Sequence, residues 1–136
     1  ILRDAKRAHQ RGVQLCKKQT HLLEIGIWKA ALEEYCEAIL FVQYLKKKNV
    51  NMDALPTQHV DIMLGALSDM IGELARFAIM KATTRDHYMV EELYAFSCDV
   101  VESFLLLDAT GTLRTKCDQA KKHLRKIEEI RYDLSI

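Results

Sequence analysis

Two pairs of carboxylates are the residues best placed to do chemistry. Glu34 and Glu37 stand three apart in Leu32-Glu33-Glu34-Tyr35-Cys36-Glu37-Ala38-Ile39. Asp69 and Glu73 stand four apart in Gly65-Ala66-Leu67-Ser68-Asp69-Met70-Ile71-Gly72-Glu73-Leu74. At about 3.6 residues per turn, either spacing puts both acids of a pair on one helix face. Both stretches are otherwise apolar, with Ala30, Ala31, Phe41 and Val42 around the first and Leu64, Phe77 and Ala78 around the second. If the two segments are neighbours, four carboxylates converge, and they cannot all stay ionised without compensation. A hard cation such as Mg²⁺ or Mn²⁺, taking oxygen ligands, is the usual compensation. Such an ion suits phosphodiester hydrolysis.

From spacing alone an ordinary ion-pair network is the commoner explanation, with Lys29, Arg76 and Lys81 as available partners. A ferritin-like di-metal site is a weaker alternative. It needs Glu-x-x-His on two helices, and no Glu here has a His three residues later. Gly65 and Gly72 lie inside the second acidic segment, where each costs roughly 1 kcal/mol of helix stability against Ala. Close approach of a backbone or ligand is a reason to keep them.

The second chemical feature is basic. Residues 1–22 hold six basic side chains (Arg3, Lys6, Arg7, Arg11, Lys17, Lys18) and one acid, Asp4, a net of +5. Residues 113–136 hold seven basic and four acidic side chains, a net of +3. The whole chain is only +1, so the acids gather in the middle. A phosphate backbone fits along the Arg3, Lys6, Arg7, Arg11 stripe, and so does plain solvent. The five histidines are scattered without metal-ligand spacing, and no Gly-rich phosphate loop, aromatic RNA-binding run or Gly-x-Ser-x-Gly elbow occurs. Cys16, Cys36, Cys98 and Cys117 are too far apart for a thiolate metal site or a disulfide framework, and reduced thiols in a cytoplasmic protein are expected.

The elements that must position these residues read as helices. The 136 residues include five Gly and one Pro, too few turn residues for a many-stranded β fold. Segments 2–23, 27–48, 57–82, 86–107 and 112–134 have helical periodicity, so an all-α antiparallel bundle of about five long helices in one domain over 1–136 is predicted. The first has an apolar face of Ala5, Ala8, Gly12, Leu15 and Cys16. Asp86 is the expected N-cap of the fourth, whose apolar surface predicts a central place or a partner subunit. The last carries a packing seam of Leu113, Cys117, Ala120, Leu124, Ile127 and Leu134. No apolar run reaches membrane-spanning length, so no membrane partner is expected.

Taken together these pieces resemble the family of translin and translin-associated factor X. Leu113-Arg114-Thr115-Lys116-Cys117-Asp118 and the ending Lys126-Ile127-Glu128-Glu129-Ile130-Arg131-Tyr132-Asp133-Leu134-Ser135-Ile136 look like the last core helix of translin. Leu32-Glu33-Glu34-Tyr35-Cys36-Glu37-Ala38 and Asp69-Met70-Ile71-Gly72-Glu73-Leu74-Ala75-Arg76 look like acidic segments of factor X. The likeness covers most of the chain from Ile27 onward. It implies a magnesium-dependent endoribonuclease for single-stranded RNA, with Glu34, Glu37, Asp69 and Glu73 as metal ligands and catalytic acids. It also implies nucleic-acid contacts from Arg3, Lys6, Arg7, Arg11 and Arg76, the last holding a phosphate near the metal. Single-stranded DNA is a further ligand class, Mn²⁺ an alternative ion, and a homo-oligomeric, octameric shell the implied assembly.

A translin-like tail beside factor-X-like acids suggests a single-subunit version, of the kind found in archaea. The family has another long helix ahead of the first one here, and the chain opens on Ile1 rather than Met. Residues are therefore expected to precede it and to be missing near 23–27 and 48–59. The stretch Val60-Asp61-Ile62-Met63-Leu64-Gly65 runs one residue out of step with the factor X pattern, so Asp61 takes no role. Two other readings stay open: a translin-like binder of single-stranded RNA or DNA that does not cut, and a helical scaffold with no nucleic-acid role.

Overall fold

The computed structural model describes residues 1–18 and 26–136. They form five α-helices and one short 3₁₀ turn, with no strand among the described residues. The helices are α1 (Leu2–Lys18), α2 (Gly26–Lys47), α3 (Val60–Thr83), α4 (His87–Leu105) and α5 (Gly111–Ser135). The all-α architecture is as the periodicity predicts. The predicted end of α1 at residue 23 lies outside the described residues.

The centre of the bundle is α3, not α4. Three helices, α2, α4 and α5, pack against α3. Its buried band is correspondingly wide: Ile62, Gly65, Ala66, Ser68, Met70, Ile71, Leu74, Ala75 and Ala78. Burying a Leu or Ile side chain completely stabilises the fold by about 1.5–3 kcal/mol, so this helix carries much of the core. Helix α4 packs mainly on α3 and α5 through Val90, Leu93, Val100, Val101 and Phe104. Its last turn is left out, with Leu105 and Leu106 exposed. The seam on α5 buries Cys117, Ala120 and Ile127 as expected, adds Ile130, and leaves Leu113, Leu124 and Leu134 partly covered.

Local chemistry sets the helix boundaries. Pro56 and a hydrogen bond from the His59 N–H to the Thr57 hydroxyl (3.1 Å) hold the chain extended, which starts α3 three residues later than predicted. At its other end the Arg85 N–H donates to the Ala82 carbonyl and the Asp86 N–H to the Lys81 carbonyl, both at 3.0 Å. This is a Schellman closure with Arg85 in the left-handed region (φ 53). Asp86 then caps α4, its carboxylate accepting from the Met89 N–H at 3.1 Å, as its position predicts. The tight corner fixes α3 against α4, while Glu73 of α3 faces residues of α2.

Helix α1 rests on α2 by a thinner contact. The Trp28 ring stacks on His9 (centroids 6.0 Å apart, planes 9° apart), and His9 also meets Tyr35 at 5.1 Å. Any Cβ at Gly12 would overlap the Trp28 ring, so glycine there permits the close approach. Ala5, Ala8 and Gly12 thus share one face, as the periodicity predicts, and that face meets α2, whereas Leu15 is exposed. The side chain of Cys16 lies outside the described residues. Cys36, Cys98 and Cys117 are free thiols, and burial pushes Cys36 up to about 11. Among the described residues no helix is long and apolar enough to cross a membrane.

Candidate functional site

The two acidic segments do lie side by side, on α2 and α3, but the acids divide into two sets. Glu34 and Glu37 from α2 and Glu73 from α3 line one open groove of about 410 Å³, together with Ala38 and Phe41. Phe41 meets Phe77 edge-on at 6.1 Å, which makes that end of the groove apolar. Glu34 is exposed, and Glu37 is half-buried.

Glu37 shows what burial beside other acids does. Its carboxyl is pushed up to about 7, by burial first and then by Asp69, Glu73 and Glu34, while Lys116 pulls weakly the other way. A carboxyl near neutrality is a group that a nearby cation would ionise. Arg76 offers a partial counter-charge, donating to the Glu73 carboxylate at 3.0 Å. Its side chain is 78% exposed, so this pair is weak and the guanidinium is open to solvent and to anions.

Asp69 has a different environment. It accepts from the Lys116 ammonium on α5 at 2.5 Å, and Lys116 also contacts Glu33 on α2. The three side chains are 27% (Lys116), 19% (Glu33) and 28% (Asp69) exposed. Burial raises Glu33, and the bonds from Lys116 partly offset that rise. Burial alone would lower Lys116, but the bonds to Asp69 and Glu33 outweigh it and the ammonium is held above its ordinary value. Gly65 makes this triad possible, because a Cβ there would come within 2.6 Å of the Glu33 carboxylate. The glycine answers the close approach of a side chain rather than of a backbone. Gly72 likewise faces His123, whose ring would lie 3.0 Å from a Cβ.

The predicted ligand set is therefore brought together in part. Glu34, Glu37 and Glu73 share a groove, and Asp69 is close enough to raise Glu37 yet is bonded to Lys116. Among the described residues no three His, Cys, Asp or Glu side chains are already drawn into a metal-holding set. The donor chemistry still fits a hard cation, since every group is a carboxylate and their mutual repulsion is unrelieved at Glu37. Of the expected ion-pair partners, Arg76 does pair with Glu73, whereas Lys81 pairs with Asp86 at 3.7 Å. Sequence reasoning missed Lys116 and Glu33. Lys116 sits one residue before the buried Cys117 of the α5 seam, and Glu33 one residue after the buried Leu32 of α2. A charged residue flanking a core position is the signal that could have found both.

The basic stripe runs along the outer side of α1. Arg3, Lys6, Arg7 and Arg11 are all exposed. The contact side of the same helix forms a second groove with Trp28, Tyr35, Glu34 and Ala38. Glu34 and Ala38 belong to both grooves, so the basic helix borders the acidic one.

Residues 25–136 match the translin family. The chain is also similar to Translin of Gallus gallus, 28% identical over 124 residues, which covers 80% of this chain and 54% of the relative. The chain thus spans about half the length of the curated relative it matches. With a family match over most of its length and a helical bundle that fits it, the chain belongs to the translin family.

Proposed function

We propose that this chain is a factor-X-like, catalytic member of the translin family, a Mg²⁺-dependent endoribonuclease acting on single-stranded RNA within a homo-oligomeric shell. The observation that carries the reading is the groove in which Glu34, Glu37 and Glu73 meet with too little positive charge. Nothing about packing requires three carboxylates there, and their repulsion destabilises the folded chain unless a cation relieves it. When bound, Mg²⁺ supplies the Lewis acidity and charge that phosphodiester hydrolysis requires. Glu34, Glu37 and Glu73 would hold the ion, with Asp69 as the fourth ligand. The Arg76 guanidinium, exposed beside Glu73, would bind a phosphate of the substrate. Arg3, Lys6, Arg7 and Arg11 on the bordering helix would hold the flanking backbone, a contact that weakens with salt. The same electrostatics admit single-stranded DNA as a ligand.

A binder that does not cut is the second reading. The Lys116–Asp69 contact favours it, because it gives one of the four acids a structural partner. End-labelled single-stranded RNA, incubated with Mg²⁺ or with EDTA, separates the two. Internal cuts that need Mg²⁺ and vanish in Glu37→Ala support the nuclease. RNA that is retained but intact under both conditions supports the binder.

A further inference from the structure

Lys116 belongs to neither acidic helix. It reaches from α5 into the junction between α2 and α3 and contacts one carboxylate on each. It is also anchored through its own backbone, whose carbonyl accepts from the buried Ser68 hydroxyl on α3 at 2.5 Å. Ser68 immediately precedes Asp69, so the same turn of α3 grips both the main chain and the ammonium of Lys116. Gly65, one turn earlier, leaves the room that lets Glu33 reach the ammonium. Four residues on two helices are thus arranged around one cation.

Asp69 stands at the boundary of that arrangement. On one side it is bonded to Lys116, and on the other its charge is felt at Glu37 in the open groove. A monocation and a dication sharing one carboxylate in a half-buried site repel each other strongly. Glu33, by contrast, is bonded to Lys116 and lines a separate groove with it, beside His59 and Asp61.

We propose that Lys116 is a resident cation that competes with the divalent ion for Asp69: the Lys116–Asp69 ion pair and metal ligation by Asp69 exclude each other, while Glu33 retains Lys116. Lys116 is then a positioning residue that sets how tightly the groove takes its metal. This rests on the metal reading of the groove given above. The competition lowers the apparent metal affinity by the fraction of molecules in which Asp69 is engaged.

Two measurements on the full chain test it. The first uses no variant: the ¹⁵N signal of the Lys116 side-chain ammonium is followed while Mg²⁺ is added. It should change environment with the same saturation as metal binding, and an unmoved signal at saturating Mg²⁺ overturns the proposal. The second is a double-mutant cycle on Mn²⁺ affinity, read by electron paramagnetic resonance. Lys116→Met should tighten Mn²⁺ on the order of tenfold. Asp69→Asn should weaken it more in the Lys116→Met background than in the wild type, because only there is Asp69 free. Simple charge screening predicts the same Asp69→Asn effect in both backgrounds, and that additivity overturns the competition. Arg76→Met serves as the comparison for loss of an exposed cation beside the same acids. Lys116→Arg keeps the charge should Lys116→Met not fold, and it should retain the weak Mn²⁺ affinity of the wild type. If Mn²⁺ binds with ordinary affinity but the cycle is additive, the competition alone falls. If no variant binds Mn²⁺, the metal reading falls with it.

Discussion

Glu33 and Glu34 are adjacent in sequence, yet they belong to opposite electrostatic environments. One helical step turns Glu33 toward α5, where Lys116 and the gap at Gly65 receive it. The same step leaves Glu34 exposed, in a groove with Glu37 and Glu73. The first region holds its own cation: two carboxylates share one ammonium. The second is open, with Glu37 pushed up to about 7 and the exposed Arg76 as a weak partner. Glu33 and Asp69 take a cation from the chain itself. On the proposed metal reading, Glu34, Glu37 and Glu73 are left short of one.

The two regions differ most sharply at Glu37. On the proposed nuclease reading, Glu37→Ala should lower RNA cleavage on the order of 10²-fold or more while RNA retention in a gel changes little, because there the residue would serve the reaction and not the backbone grip. Equal cleavage by the mutant would return the open groove to structure. Next in size is Lys116→Met. It strands two partly buried carboxylates and should destabilise the chain by about 2 kcal/mol, less than for a fully buried pair because water still reaches them. An unchanged denaturant midpoint would show that the closed region holds nothing together.

A smaller effect separates the regions by pH. The Glu37 carboxyl titrates at about 7 in the folded chain against 4.5 as its ordinary value, so the folded state binds more protons between those two values. Stability therefore falls as pH rises across that window, the reverse of the usual salt-bridged carboxylate. Glu37→Gln should be neutral below the window and stabilising by about 1 kcal/mol above it, allowing for the screening of a half-buried group. A benefit that is the same at both ends would show that the cost of ionising Glu37, from burial first and its neighbouring acids second, is not the cause. Least of all is expected at the corner between α3 and α4. Arg85→Gly should stabilise by about 0.5–1 kcal/mol by relieving the left-handed backbone at φ 53. Loss of stability there would mean that the Arg85 side chain does more than the geometry shows.

Most of the helical frame was legible because it rests on local rules. Periodicity located all five helices, Asp86 announced its cap, and the spacing of Glu34 with Glu37 placed both in one groove. What was not legible depends on three helices meeting. The centrality of α3 follows from its neighbours, and its own apolar content does not distinguish it from α4. Lys116 lies far along the chain from both Glu33 and Asp69, so no spacing rule joins them. The start of α3 departs from the periodicity for a smaller reason, a hydroxyl at Thr57 that satisfies the His59 N–H before the helix can. Gly65 was recognised as unusual, but the side chain that needs its space was visible only in three dimensions.

The most direct test of an open, cation-seeking groove is the ¹³C titration of the Glu37 carboxyl by nuclear magnetic resonance, with and without Mg²⁺. A midpoint near about 7 is expected in metal-free protein, with a marked fall when Mg²⁺ is present. A midpoint in the ordinary carboxylate range that Mg²⁺ does not move would contradict it, and Glu34, Glu37 and Glu73 would then be surface acids like any others.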